Sequence, residues 1–258
     1  MKDRNLWVWG WHSVESCLEN FPDLVLELKI EDEAHRGSVE LQKIVASAKA
    51  AGVRVDFVRA LPKDYADKRT QGALALMKRA PTLGVPDFTD LVEGEAPQNL
   101  RQWAVLDRLE DPRNFGAILR SAAAFGLSGV IFGDKQQAPV TGVVAQASAG
   151  QCFRVPLFEV PNPNTIFRVL DEQAHLRSAV AVLDMDGEKL QDAVRGFREG
   201  EFTDLVWILG SEGRGVRQGL LEKASHRVSI PMQAGVESLN VSVASALAFY
   251  AMYQSQLS

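Results

Sequence analysis

Two kinds of apolar period alternate along the chain. Over the first 80 residues Leu6–Trp9, Leu24–Ile30, Val53–Val58 and Ala73–Met77 read as strands, the second alternating apolar positions with Glu and Lys. Between them Ser13–Glu19 reads as a short helix opened by a serine cap, and Ser38–Ala51 as an amphipathic helix stopped by Gly52. This predicts a small α/β domain over residues 1–80. Pro81, Gly84, Pro86, Gly94 and Pro97 then punctuate an acidic stretch without sustained period, which predicts a linker over 81–98.

From residue 99 the alternation becomes regular. Apolar strands are predicted at 103–106, 129–132, 155–160, 179–183, 205–209 and 228–231, with helical patterns at 115–125, 140–148, 165–175, 215–224 and 240–255. Continuous apolar strands with interleaved helices predict a parallel sheet covered on both faces, hence a second α/β domain over 99–258. Such sheets bind ligands beyond the carboxyl ends of their strands, so the loops there carry the candidate chemistry.

Composition narrows the class. The 258 residues are 46% hydrophobic and 24% charged, which excludes disorder, collagen and coiled coil. A net charge of -5 argues against a broadly basic nucleic-acid surface, but residues 1–80 balance at +1 while 81–258 balance at -6. The acid is concentrated in 81–98 and 184–204, which leaves room for a local basic patch. Cys17 and Cys152 are too few and too far apart for a disulfide framework or a zinc site, and the four histidines show no ligand spacing. These features predict a reducing compartment and no metal. The N-terminus lacks a signal-peptide core, and the longest apolar run, Val241–Met252, falls short of the ~20 residues of a membrane span. A cytoplasmic protein is expected.

Three loops concentrate polar and glycine residues behind predicted strands. Asp111-Pro112-Arg113-Asn114-Phe115-Gly116 opens a helix at the mouth of the sheet, with Arg120 six residues beyond Asn114. On spacing alone this also fits a helix cap and a surface arginine. Leu209-Gly210-Ser211-Glu212-Gly213-Arg214-Gly215 lets backbone approach a ligand but lacks the lysine and hydroxyl of a triphosphate loop. It equally fits a tight turn into a helix, although Glu212 between glycines is placed to hold a ligand hydroxyl or an arginine. Ile230-Pro231-Met232 and Ser238-Leu239-Asn240 precede a helix whose first turns are small residues, which also fits a capped core helix.

Together, in order and spacing, these loops resemble the three motifs of the SpoU branch of the SPOUT methyltransferases. Residues 1–80 are similar to the L30e/L7Ae-type RNA-binding domain that precedes the catalytic domain in large-subunit rRNA ribose methyltransferases, through Gly10-Trp11-His12-Ser13-Val14-Glu15 and Gln71-Gly72. The chain departs from the family pattern at Thr70, where relatives have His, and at Glu237, where they have a small polar residue. The resemblance implies a C-terminal trefoil knot, which periodicity never predicts because threaded connections are so rare. It also implies a homodimer, an RNA substrate and methyl transfer from S-adenosylmethionine to a ribose 2′-hydroxyl.

Carried over residue by residue, the resemblance makes Arg120 the group that meets the reacting hydroxyl and its neighbouring phosphate. A guanidinium stays protonated, which favours an electrostatic role over that of a base. Asn114 and Glu212 would orient Arg120 and the ribose, and Ser238 and Asn240 would position the nucleotide or cofactor edge. Gly210, Gly213, Ile230, Met232 and Leu239 would enclose the cofactor. The alternatives are a tRNA ribose methyltransferase and, more remotely, a non-catalytic RNA-binding protein. A nicotinamide dehydrogenase is disfavoured, because its glycine loop follows the first strand of the sheet and here the loop follows the fifth.

Overall fold

In the computed structural model residues 5–65, 68–78, 82–93, 97, 99–211 and 213–257 are described. The chain divides into two units, one formed by Met1–Pro81 with Val140–Arg154 and the other by Thr82–Pro139 with Val155–Ser258.

In the first unit the apolar runs form β1 (Leu6–Trp9), β2 (Val25–Glu31), β3 (Arg54–Val58) and β4 (Ala73–Met77), in the order β1-β4-β2-β3. Strand β4, the most apolar, lies inside, antiparallel to β1 and β2, and β2 pairs in parallel with β3. Helices α1 (Trp11–Asn20), α2 (Asp32–Gly37) and α3 (Val39–Ala50) connect them. Ser38 caps α3 by accepting from Leu41 N–H at 3.2 Å. The serine cap expected for α1 is absent: that helix starts two residues earlier, behind Gly10, and Ser13 is buried in its first turns.

The second unit opens with α4 (Val85–Val92), inside the segment expected to be a linker. Asp87 accepts from Gly84 N–H at 2.6 Å, Pro86 sits in the first turn, and Phe88 and Val92 are buried. Eight residues were too short a window for the period to emerge through the acids. Then follow β5 (Arg101–Asp107), α5 (Pro112–Ala124) and β6 (Gly129–Gly133). Helix α6 (Gly142–Ala147) belongs to the first unit, where the sequence pattern had placed it in the second domain. The reason is visible in its contacts. Ser13 Oγ donates to Ala145 carbonyl at 3.1 Å and Ser16 Oγ to Gly150 carbonyl at 2.8 Å, both buried. A Cβ on Gly142 would lie 2.0 Å from the Trp7 carbonyl, so only glycine admits this approach.

The chain continues through β7 (Leu157–Val160), α7 (Asn164–Glu172), β8 (Ser178–Lys189), α8 (Leu190–Glu199), β9 (Asp204–Gly210), α9 (Gln218–Leu221), β10 (His226–Ser229) and α10 (Val241–Gln256). Helix α8 was not expected, because its apolar positions Leu190, Ala193, Val194 and Phe197 are diluted by four charges. The helix expected over 215–224 shrinks to the single turn α9. The six strands form one parallel sheet in the order β10-β8-β9-β5-β6-β7. One face packs Trp103, Val105, Ile131, Phe158 and Ile208 against Phe88 of α4 and Ile166, Phe167 and Leu170 of α7. Phe88 meets Trp103 edge-on at 5.0 Å and Phe158 at 5.5 Å, contacts that fix α4 on the sheet.

Candidate active site

From β5 the chain proceeds to β6 and β7 on one side and returns through β8 and β9 on the other. The carboxyl ends of β5 and β9 therefore flank the point where strand order reverses, with Asp107 directly opposite Gly210. Asp107 is fully buried and accepts from Arg217 twice, from its backbone N–H at 2.7 Å and from Nε at 2.6 Å. Arg108 Nε lies 3.6 Å from the same carboxylate. This anchor folds Ser211 and residues 213–217 back toward their own strand. Gly215 N–H donates to Ser211 carbonyl at 2.9 Å, and a Cβ on Gly210 would lie 2.4 Å from the carbonyl carbon of Gly215. Gly213 and Gly215 hold φ of +81° and +63°, the left-handed values a tight reversal needs. Asp107 was missed in the sequence, where it reads as the polar end of an apolar strand.

The first and third loops meet through two helix starts. Asp111 caps α5, accepting from Arg113 N–H at 2.8 Å, and places Asn114 in the first turn. Asn240 caps α10, accepting from Ser242 N–H at 2.8 Å and from the Ser242 hydroxyl at 2.5 Å. Asn240 Nδ2 then donates to Asn114 Oδ1 at 3.1 Å, so one amide both ends the third loop and ties it to the first. At the far end of α5, Phe125 packs its ring 5.5 Å from Tyr250 and 5.9 Å from Tyr253 of α10.

Arg120 stands apart from this pair. Six residues at ~100° each leave it about 120° around α5 from Asn114, where it is exposed and has no hydrogen bond or ion pair to a described residue. Among the described residues Asn114 is hydrogen-bonded to Asn240, on the side of the third loop. Glu212 lies outside the described residues.

Four expected site residues line one cleft. Ile230, Met232, Ser238 and Leu239, with Leu183 and Ala244, bound a space of about 490 Å³. The backbone amides of Met232 and Leu239 make no backbone hydrogen bond among the described residues. An apolar slot edged by free backbone polar groups fits a flat purine, whose faces are apolar and whose edge is not. Met232 adds a polarisable sulfur suited to an aromatic face. Gly210 and Gly213 do not line this cleft and act by shaping the neighbouring loop. A second, polar hollow of about 640 Å³ is bounded by Glu110, Asp111, Asn114, Ser211 and Arg214. There Ser211 Oγ is buried without a partner among the described residues.

Six parallel strands with three loops converging at the carboxyl edge form an α/β catalytic architecture, and comparison with known proteins agrees. Among solved structures, the SpoU methyltransferase AviRb of Streptomyces viridochromogenes in complex with AdoMet superimposes with a TM-score of 0.77 at 20% identity, over 98% of this chain and 91% of that one. The 23S rRNA (guanosine-2′-O-)-methyltransferase RlmB of Shewanella oneidensis is 32% identical over 97% of each chain. RlmB of Bordetella pertussis is 33% identical over 93% of this chain and 94% of its own. The SpoU rRNA Methylase family model matches residues 102–250, and the chain belongs to that family.

Proposed function

We propose that this protein methylates the ribose 2′-hydroxyl of a guanosine in large-subunit ribosomal RNA. As a member of its family the chain is an S-adenosylmethionine-dependent RNA methyltransferase. The observation that carries the site assignment is the Asn240–Asn114 bond, which brings the third loop's cofactor-shaped cleft beside the first loop's polar hollow. The choice of rRNA and guanosine follows the full-length relatives named above.

S-adenosylmethionine supplies an electrophilic sulfonium methyl, so the protein's task is to align the acceptor hydroxyl and favour loss of its proton. Ile230, Met232 and Leu239 would hold the adenosyl group, with Ser238 at its edge. Asn240 and Asn114 would fix the distance between that group and the polar hollow. Arg120, exposed and free of protein partners among the described residues, would meet the phosphate and the developing alkoxide. Glu212, which follows Ser211 in the chain, would contact the ribose.

The trefoil knot belongs to this reading, and so does a homodimer. Supporting the latter, Val243, Leu247 and Tyr250 of α10 are between 41% and 48% exposed, and Leu190, Val194, Ile230 and Pro231 continue the same apolar groove. Mass spectrometry of nucleosides from a deletion strain tests the substrate. One 2′-O-methylguanosine is expected to vanish from large-subunit rRNA and none from tRNA; loss from tRNA alone would move the protein to the tRNA alternative.

A further inference from the structure

The polar hollow beside the cofactor-shaped cleft brings the first two loops together, and both are held by contacts outside it. In the first loop Leu109 is clamped on both sides: its N–H donates to Gln137 Oε1 at 2.9 Å and its carbonyl accepts from Ala138 N–H at 2.8 Å. Asp111 is engaged in capping α5, so Glu110, between these two fixed residues, is the carboxylate left to face a ligand. In the second loop Arg214 stands at the apex of the reversal closed by the Ser211–Gly215 bridge, between Gly213 and Gly215 in left-handed backbone. The charged ends of Glu110 and Arg214 lie 3.7 Å apart, too far for a hydrogen bond, and both side chains are 65% exposed.

The hollow thus offers an acceptor and a donor side by side, neither of them saturated among the described residues, in a space that also holds the buried, unpartnered Ser211 hydroxyl. Polar groups left open in this way are completed by a ligand. Two carboxylates against one guanidinium bound the space, which disfavours a phosphate and suits a neutral edge with donors next to an acceptor. Of the four RNA bases, guanine has such an edge: N1–H and the N2 amino group donate in parallel to one carboxylate, and O6 beside them accepts from a guanidinium. Adenine would turn the lone pair of its N1 toward the carboxylate, and uracil and cytosine each carry a single donor group on that edge.

We infer that this hollow selects the acceptor nucleotide by its base, Glu110 accepting from guanine N1–H and N2–H while Arg214 donates to O6. The inference rests on the guanosine substrate proposed above and adds which groups read the base. Unpaired RNA bases are commonly read on this Watson–Crick edge. Glu110 and Arg214 are then specificity residues, distinct from the groups that meet the reacting hydroxyl.

The test is methyl transfer by the full-length protein to a synthetic fragment of large-subunit rRNA with guanosine or inosine at the position that wild type methylates. Inosine keeps O6 and N1–H but lacks the N2 amino group, so wild type is expected to prefer guanosine about tenfold, the scale of one hydrogen bond to a charged group. Glu110→Gln should lower the guanosine rate about tenfold and bring the two rates together. Arg214→Gln should slow both substrates alike and leave their ratio intact, because O6 is common to both. Glu172→Gln on α7 is expected to match wild type, and all three variants should keep wild-type S-adenosylmethionine affinity and thermal melts. A wild-type ratio near one, an unaltered ratio in Glu110→Gln, or lost cofactor affinity in either hollow variant, which would place the methionine tail of S-adenosylmethionine there, would overturn the inference. If wild type transfers no methyl group to rRNA, ligand-observed NMR of guanosine and inosine monophosphates with the S-adenosylhomocysteine-loaded protein decides the inference separately. A guanosine preference that Glu110→Gln removes would then support the hollow and refute the reaction, and no preference would refute both.

Discussion

The parallel sheet buries a carboxylate at each end, and the two are treated differently. At the amino end Asp204 is fully buried and closed off: Arg101 grips it with Nε at 2.8 Å and Nη2 at 3.0 Å, and Trp103 Nε1 donates at 2.7 Å. At the carboxyl end Asp107 is equally buried, but its partner Arg217 keeps 45% of its side chain exposed, and around it Ser211 Oγ and Arg108 Nε are buried without a hydrogen bond among the described residues, Arg108 making only a 3.6 Å ion pair to Asp107. A closed network fixes strands. An open one, with polar groups still unmet, is what a ligand completes. The same pairing of Asp with Arg thus serves stability at one end and loop placement at the other.

Breaking the closed end should have the largest energetic effect. Asp204→Ala leaves Arg101 and Trp103 without their acceptor, and removing one partner of such a buried pair costs about 3–5 kcal/mol. Thermal melting is expected to show a large loss of stability, while the folded fraction keeps its methyl-transfer rate. A variant that loses activity but no stability would reverse the assignment of the two ends.

At the open end Arg120→Ala should lower methyl transfer by about 10² to 10³, the usual scale for one preorganised electrostatic contact, with S-adenosylmethionine affinity within a few-fold of wild type. Arg120→Lys keeps the charge but loses the planar fork and should also be impaired. Near-normal turnover by Arg120→Ala in a methyl-transfer assay would make it a surface arginine. A smaller effect is expected for Asn240→Ala, which removes a helix cap worth roughly 0.5–2 kcal/mol together with the tie to Asn114. Calorimetry should show weakened S-adenosylmethionine binding, and unchanged binding would separate the two loops functionally.

The smallest effect lies outside both ends. Burial pushes the Cys152 thiol up from an ordinary value of 9.0 to about 12, against the lowering effect of its Ser148 hydrogen bond. Below about pH 9 the thiol is neutral in folded and unfolded chains alike; above it only the unfolded chain ionises. Stability should therefore fall by about 1.4 kcal/mol per pH unit from this group as pH rises from 9 toward 12. Denaturant melts of Cys152→Ala should show a shallower decline, and an equal slope would remove the thiol as its cause.

Much of this was legible in the chain because burial writes itself as period. All six strands of the parallel sheet were expected, five of them as apolar runs buried on both faces, and Ile230, Met232, Ser238 and Leu239, which flank one irregular loop, line one cleft. What escaped depends on distant partners. Nothing local to Asp107 announces Arg217, and nothing local to Ser13 announces Ala145, so the anchor of the second loop and the transfer of α6 to the first unit were both invisible. Helices α4 and α8 were missed because charged residues fill their exposed faces. Six residues place Arg120 about 120° around α5 from Asn114, so the sequence spacing alone does not bring the two side chains onto one face.

The central claim is that the carboxyl-end crevice delivers a methyl group to a ribose hydroxyl. It is tested most directly by incubating the purified protein with methyl-tritiated S-adenosylmethionine and unmodified large-subunit rRNA, then hydrolysing the RNA in alkali. A 2′-O-methyl group removes the hydroxyl that alkali needs for cleavage, so the account predicts label in alkali-resistant dinucleotides whose first member is guanosine, and its loss with Arg120→Ala. Label in mononucleotides, which marks a methylated base, or no label in RNA at all, would contradict it.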